Sequence, residues 1–246
     1  MKNRDRIEYS IVIPLRNEAE NVGPLVDEIL AADRKKPPAE IVLVDDASTD
    51  DTVAAVRCAR VRHGEVIVLV RNGRQCGQST AVRNGIQAAR SPWIVTMDGD
   101  RQNDPADIPA MLSRLRESPV EDILVIGHRV ARRDTWLRRQ ASRLANGVRG
   151  ALLHDRAPDT GCGLKAFSRE VFLELPYFDH MHRFMPALML QHGGRVESLP
   201  VRHRPRVAGR SKYGILDRLW VGIVDLFGVA WLARRNRHTE WTRDNA

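Results

Sequence analysis

The sequence predicts an α/β protein, with a mostly parallel sheet covered by helices on both faces. Short, near-continuous apolar runs alternate with longer segments whose apolar residues recur at helical spacing. That is the pattern of repeated strand–helix units around a sheet buried on both sides. The length, 246 residues with 43% hydrophobic side chains, allows one large core. Polar clusters sit where the apolar runs stop, and in an open parallel sheet that edge is where ligands bind.

The first strand is expected over residues 9–14 and runs into Pro14-Leu15-Arg16-Asn17-Glu18. A helix over 18–33 follows, with Val22, Leu25, Val26, Ile29 and Leu30 on one face. The second strand, 40–45, ends in Asp45-Asp46-Ala47-Ser48-Thr49-Asp50 and leads to a helix over 49–62. The third, 65–70, ends in Arg71-Asn72-Gly73 before a helix over 79–90. The fourth, 93–98, stops at Asp98-Gly99-Asp100, with Gln102 close behind and a helix over 105–117. The fifth, 122–127, ends in Gly127-His128-Arg129. Turn chemistry explains one or two such clusters. Five in register are better explained by a single site.

The remaining third differs in texture. Residues 128–149 carry Arg129, Arg132, Arg133, Arg138, Arg139, Arg143 and Arg149 against one acid, Asp134. A tight segment follows, Asp159-Thr160-Gly161-Cys162-Gly163, then a helix over 182–191 and a basic stretch over 202–212. Residues 213–233 are apolar and include Trp220 and Trp231, with Arg234, Arg235 and Arg237 directly after. The expected division is a main domain over 1–212 and an amphipathic helix with a basic tail over 213–246.

The formal charge of +8 points to an anionic partner: nucleic acid, anionic lipid or a phosphorylated substrate. With aromatic residues at 5% and no binding motif for bases, nucleic acid is not expected as a partner. Three scattered cysteines, Cys58, Cys76 and Cys162, form neither a disulfide framework nor a zinc site and fit a reducing cytosol. The polar start lacks a signal core, and no uncharged apolar run is long enough to span a bilayer. Charged residues interrupt 213–233, so that segment suits the membrane interface, or else docks on protein.

Carboxylates at a strand end are hard oxygen donors. Asp98 and Asp100 are candidates to hold a divalent cation on a diphosphate, with Gln102 adding or orienting a ligand. Of Asp45 and Asp46, one can cap the following helix while the other accepts from a base or ribose.

Taken together, Pro14-x-x-Asn17-Glu18, Asp45-Asp46-x-Ser48-x-Asp50, Asp98-x-Asp100-x-Gln102, Gly127-x-Arg129 and Asp159-x-x-x-Gly163 resemble family-2 glycosyltransferases. The similarity is greatest to the polyprenyl-phosphate branch, of the dolichyl-phosphate mannosyltransferase type, and runs from residue 9 to about 213. Arg16 departs from the family, which often has an aromatic residue there. The resemblance implies a GT-A fold. It implies a nucleoside pocket lined by Pro14, Asn17, Glu18 and Asp46, with Asp98 against the nucleotide. It also implies Mg²⁺ or Mn²⁺ held by Asp100 and Gln102 together with Asp98. Its activity would be inverting transfer of a mannose- or glucose-type hexose from a GDP- or UDP-sugar to polyprenyl phosphate. The alternative is transfer to a saccharide or other hydroxyl acceptor in cell-envelope glycan synthesis.

For the acceptor phosphate the expected ligands are Arg129, Arg138, Ser142, Arg206 and Lys212. Arg138 and Ser142 are four apart and share a helix face, and arginine forks match phosphate oxygens. Arg129 and Arg138 join Asp98 and Asp100 as the expected catalytic residues. A phosphate monoester is already anionic at neutral pH, so no base is needed. A hydroxyl acceptor would need one, and Asp159 is the candidate. The implied location is peripheral, on the cytoplasmic face of a membrane.

Overall fold

The fold was obtained as a computed structural model, which describes residues 8–120, 122–129, 147, 149–150, 152–153, 155, 157–205 and 215–235. Among these, one sheet of seven strands runs in the order β3-β2-β1-β4-β6-β5-β7. The strands are β1 (Tyr9–Leu15), β2 (Glu40–Asp45), β3 (Ile67–Arg71), β4 (Trp93–Thr96), β5 (Ile123–Arg129), β6 (Lys165–Ser168) and β7 (Arg195–Val201). All neighbours pair in parallel except β6, which is antiparallel to β4 and to β5. The carboxyl ends of β1 to β5 therefore share one edge, and β6 brings its first residue to that same edge.

Period-two alternation sorts the strand side chains onto two faces. Ile11, Ile13, Leu15, Ile41 and Leu43 pack under α1 (Ala19–Ala32), α2 (Thr52–His63) and α4 (Ile108–Glu117). Val12, Val42, Val44, Ile94 and Phe167 pack under the other helices. These are α3 (Gln78–Ala88), α5 (Arg169–Glu174), α6 (Met185–Gln191) and α7 (Ile215–Arg235). The α1 stripe read from the sequence is the buried one: Val22, Leu25, Val26 and Ile29 are at most 2% exposed.

Strand β4 is shorter than expected and stops at Thr96, because the Asp98 amide turns to the Asn103 side chain instead of a neighbouring strand. Strand β3 starts only at Ile67, after a 3₁₀ turn over Gly64–Val66. Three elements were not foreseen: β6, α5 and β7. Helix α7 docks through Val229, which is buried in the second core cluster, and through an Asp225–His180 pair at 3.2 Å. Its outer face leaves Val224, Phe227 and Trp231 more than half exposed. No helix among the described residues is long and apolar enough to cross a membrane.

Candidate active site

Loops at the carboxyl edge are joined pairwise by side chains. The Arg16 guanidinium donates to the carbonyls of Asp46 (2.6 Å) and Ala47 (2.8 Å). The Asn17 amide donates to Ser48 Oγ, and Asn17 Oδ1 accepts from the Thr49 amide at 2.8 Å. The Glu18 amide donates to Thr52 Oγ1 at 2.8 Å. Among the described residues, four non-glycine residues have positive φ: Asn17, Ala47, Arg101 and His180. The first three follow β1, β2 and β4, and the fourth lies beside the loop that reaches α3. Left-handed backbone in such residues costs of order 1 kcal/mol or more and collects where surroundings enforce a functional geometry.

The two alternatives for Asp45 and Asp46 resolve into separate structural tasks. Asp45 Oδ1 accepts from the Ser48 amide. Asp46 is 5% exposed and takes three donors: Asn72 Nδ2 (2.8 Å) and the amides of Cys76 (2.8 Å) and Gly77 (2.9 Å). It thereby fixes the β3–α3 loop as a wall on one side of the candidate site. From that wall, Gln78 Nε2 donates to Asp98 Oδ1 at 3.1 Å.

The Asp98-Gly99-Asp100 turn is pressed against the end of β1 and the start of β6. A Cβ on Gly99 would stand 2.5 Å from Leu15 Cδ2 and 3.2 Å from the Pro14 carbonyl. A Cβ on Gly163 would fall inside the Asp98 carboxylate. This close approach is why glycine is required at the end of the Asp159-to-Gly163 segment. Burial and the neighbouring Asp100 charge push the Asp98 carboxyl up to about 6, against the pull of Lys165, Arg129 and Gln78. Asp100 is 8% exposed and accepts from the Gln102 amide. The Gln102 side-chain nitrogen faces His203 Nε2 (3.5 Å) and the Arg204 carbonyl (3.4 Å).

Among the described residues no group of three or more His, Cys, Asp or Glu side chains could hold a metal by itself. The candidate donors are Asp98 and Asp100, two carboxylates that repel each other, with Gln102 following them in the same loop. This set fits Mg²⁺ or Mn²⁺, which is commonly held by one or two carboxylates and completed by substrate phosphates. A protein-only cage is not needed.

Arg129 meets Asp159 as a bidentate pair, Nε–Oδ2 2.6 Å and Nη2–Oδ1 2.8 Å, and its amide also donates to Asp159 Oδ2. Both side chains are little exposed, 13% and 11%. Burial would lower the guanidinium, but the Asp159 carboxylate outweighs it and holds Arg129 above its ordinary value.

Two neighbours of these groups belong to none of the sequence motifs. Lys165, the first residue of β6, is 3% exposed and donates to the Cys162 carbonyl, and burial lowers its ammonium. The one available signal was a lysine standing between the buried Leu164 and Ala166. His182 bonds through Nδ1 to Ser79 Oγ at 2.7 Å, and burial, then Lys165, holds it well below its usual value. The edge thus assembles Pro14, Asp46, Asp98, Asp100, Gln102 and Arg129 with Lys165. Asn17 and Glu18 serve the loop joint beside them. Arg138, Ser142, Arg206 and Lys212 lie outside the described residues.

Comparison with known proteins bears on the fold and the family. The chain is 38% identical over 232 residues to dodecaprenyl-phosphate galacturonate synthase from Rhizobium johnstonii, covering 93% of this chain and 68% of that protein. It is 35% identical over 209 residues to undecaprenyl-phosphate 4-deoxy-4-formamido-L-arabinose transferase from Edwardsiella ictaluri, covering 84% of this chain and 63% of that protein. The chain therefore spans about two thirds of the length of these relatives. Mannosyl-3-phosphoglycerate synthase from Rubrobacter xylanophilus superposes with a TM-score of 0.69 at 20% identity, over 93% of this chain and 75% of that one. Glucosyl-3-phosphoglycerate synthase from Mycobacterium tuberculosis, crystallised with Mn²⁺, UDP and glucosyl-3-phosphoglycerate, superposes at 0.64 and 20% identity, over 95% and 82%. At that identity the likeness is one of fold, and the fold is the expected GT-A architecture. Residues 10–175 match the profile of glycosyl transferase family 2, and the chain belongs to that family as a glycosyltransferase.

Proposed function

We propose that this protein transfers a sugar of the hexose type from a GDP- or UDP-sugar to polyprenyl phosphate, with inversion at the anomeric carbon. One observation carries the choice of acceptor. Asp159, the candidate base for a hydroxyl acceptor, accepts three hydrogen bonds from Arg129 and is committed to that pair. A carboxylate held ionised by a bidentate arginine is a poor proton acceptor. A phosphate acceptor needs none. The names of the two relatives, each transferring to a polyprenyl phosphate, support the same reading.

In this reading Asp46 and the loop it fixes shape the nucleoside side, with Pro14, Asn17 and Glu18 on the facing wall. Asp98, Asp100 and Gln102 would hold Mg²⁺ or Mn²⁺, which supplies charge stabilisation for the departing diphosphate. Gln78 and Gly163 orient Asp98. Arg129 and Lys165 set a positive field beside the carboxylates, with Arg138, Ser142, Arg206 and Lys212 completing the acceptor side. The lipid acceptor calls for a peripheral membrane position, on the cytoplasmic face where nucleotide-sugars are available. The exposed Val224–Phe227–Trp231 stripe, with Arg234 and Arg235 at its end, suits the interface of an anionic bilayer. Residues 1–212 would then be the catalytic domain and 213–246 its membrane-facing appendage.

The test is a panel of labelled nucleotide-sugars with Mn²⁺, including uronic-acid and amino-sugar donors. It is run in parallel with undecaprenyl phosphate and with undecaprenol. Transfer to the phosphate alone is expected. Equal transfer to undecaprenol would refute the proposed acceptor, and an α-linked product from an α-linked donor by NMR would refute inversion. Phe227→Asp with Trp231→Asp should release the protein from phosphatidylglycerol vesicles, and unchanged binding would refute the membrane stripe.

A further inference from the structure

Helix α1 carries a glutamate that none of the site motifs includes. Glu28 Oε1 accepts from Arg101, through Nε at 3.2 Å and through Nη2, while its Oε2 accepts from Arg204 Nη1 at 2.7 Å. Arg204 also reaches Asp104 Oδ1 through Nη2 at 2.7 Å. The backbone repeats the connection: the Arg204 amide donates to the Gln102 carbonyl at 2.9 Å, and Asn103 forms a β-bridge with His203. Loop 98–104 is therefore held at its middle by Arg101 and at its end by Asp104, and both holds converge on Glu28 and Arg204.

The place of Arg101 gives this arrangement its meaning. It directly follows Asp100 and has φ of 62°, a left-handed conformation that an arginine adopts only when held. What holds it is Glu28. Partly exposed ion pairs of this kind contribute little to stability. Their consequence here is geometric, since they set where the Asp98–Gln102 oxygens stand.

We propose that Glu28 is a positioning residue for the metal–diphosphate end of the site. Acting through Arg101 and Arg204, it fixes loop 98–104 against the segment that leaves β7. The proposal rests on the preceding functional reading for what the loop binds, but not for the loop's being fixed.

The variants are Glu28→Gln, which removes the charge and keeps the shape; Glu28→Asp; and Arg101→Gly, which relieves the left-handed backbone while deleting the tether. The control is Asp27→Asn, because Asp27 is the neighbouring α1 acid and pairs instead with Arg62 and His63. Two quantities are read on the full chain: amide hydrogen exchange across 98–104, and Mn²⁺ affinity in the presence of UDP by electron paramagnetic resonance. Glu28→Gln and Arg101→Gly should each speed exchange in 98–104 and weaken Mn²⁺ about 10-fold or more, the usual effect of losing a group that orients a metal's ligands. Glu28→Asp should recover part of both, and Asp27→Asn should change neither. Exchange in Glu28→Gln within about twofold of the parent, or an Asp27→Asn effect equal to it, would overturn the proposal. Absence of Mn²⁺ binding by the parent chain would instead sink the metal reading, while exchange still decides the role of Glu28.

Discussion

Replacing Asp98 with asparagine should stabilise the protein while removing its activity. The folded carboxyl is raised from 3.8 to about 6, first by burial and then by Asp100. Folding thus binds that proton more tightly than the unfolded chain does. Stability contributed by the group is intact below about pH 4 and is lost as pH rises toward 6. The difference of about two pH units corresponds to ~3 kcal/mol above pH 6. Asparagine cannot ionise, retains an oxygen for the Gln78 donor and has nearly the same shape against Gly163. At pH 7.5 Asp98→Asn should therefore gain roughly 2–3 kcal/mol, or about 4–12 °C in Tm for a domain of this size. At pH 4 the gain should vanish. Calorimetric or urea unfolding at pH 4, 5, 6 and 7.5 measures this, in EDTA so that no cation neutralises the pair. No gain at pH 7.5, or the same gain at pH 4, would show that Asp98 is not held ionised against its surroundings.

Other outcomes test the rest of the site. Asp100→Ala should lower kcat by about 100-fold or more with an unchanged circular dichroism spectrum, and EDTA should silence the parent enzyme until Mn²⁺ or Mg²⁺ is restored. Gly163→Ala forces a methyl into the Asp98 carboxylate; it should cost about 1–3 kcal/mol in urea unfolding and most of the activity. Asp159→Asn leaves the little-exposed Arg129 without its counter-charge and should destabilise by about 3 kcal/mol. The double variant Arg129→Met with Asp159→Asn should lose less stability than Asp159→Asn alone, and a double-mutant cycle reads the coupling.

The half built on β1 to β5 was legible because its strands are mostly buried on both faces and read as unbroken apolar runs. Glu40–Asp45 was placed to the residue, and all five strand ends carried their polar clusters to one edge. The other half was obscure for reasons visible in its residues. Strand β6 is four residues long and begins with Lys165, so neither periodicity nor composition marks it. Strand β7 mixes Arg195, Glu197 and Pro200 with its apolar positions, as an exposed edge strand can. Within the site, sequence spacing identified which carboxylates matter but not how they divide the work. Asp46 is spent on three loop donors, and Arg129 on Asp159. Those pairings join residues about 30 positions apart, and no local pattern encodes them. Glu28 was invisible for the same reason: its partners lie 73 and 176 residues away.

The reversed strand β6 has a consequence for how such an enzyme can diversify. Chain leaving β5 at Arg129 and chain entering β6 at Lys165 both stand at the ligand-bearing edge, so the stretch 130–164 departs from and returns to the same rim. Its last residues are tied to the strands they meet, Asp159 to Arg129, and Gly163 to Asp98 and, through its carbonyl, to Thr96, so any exchange of the stretch must keep those residues. On the proposed function, variation in the rest of that stretch would alter the acceptor while the tied residues keep the donor side. A chimera that imports residues 130–164 from a relative while retaining Asp159 and Gly163 should fold on the host sheet, with urea unfolding close to that of the parent.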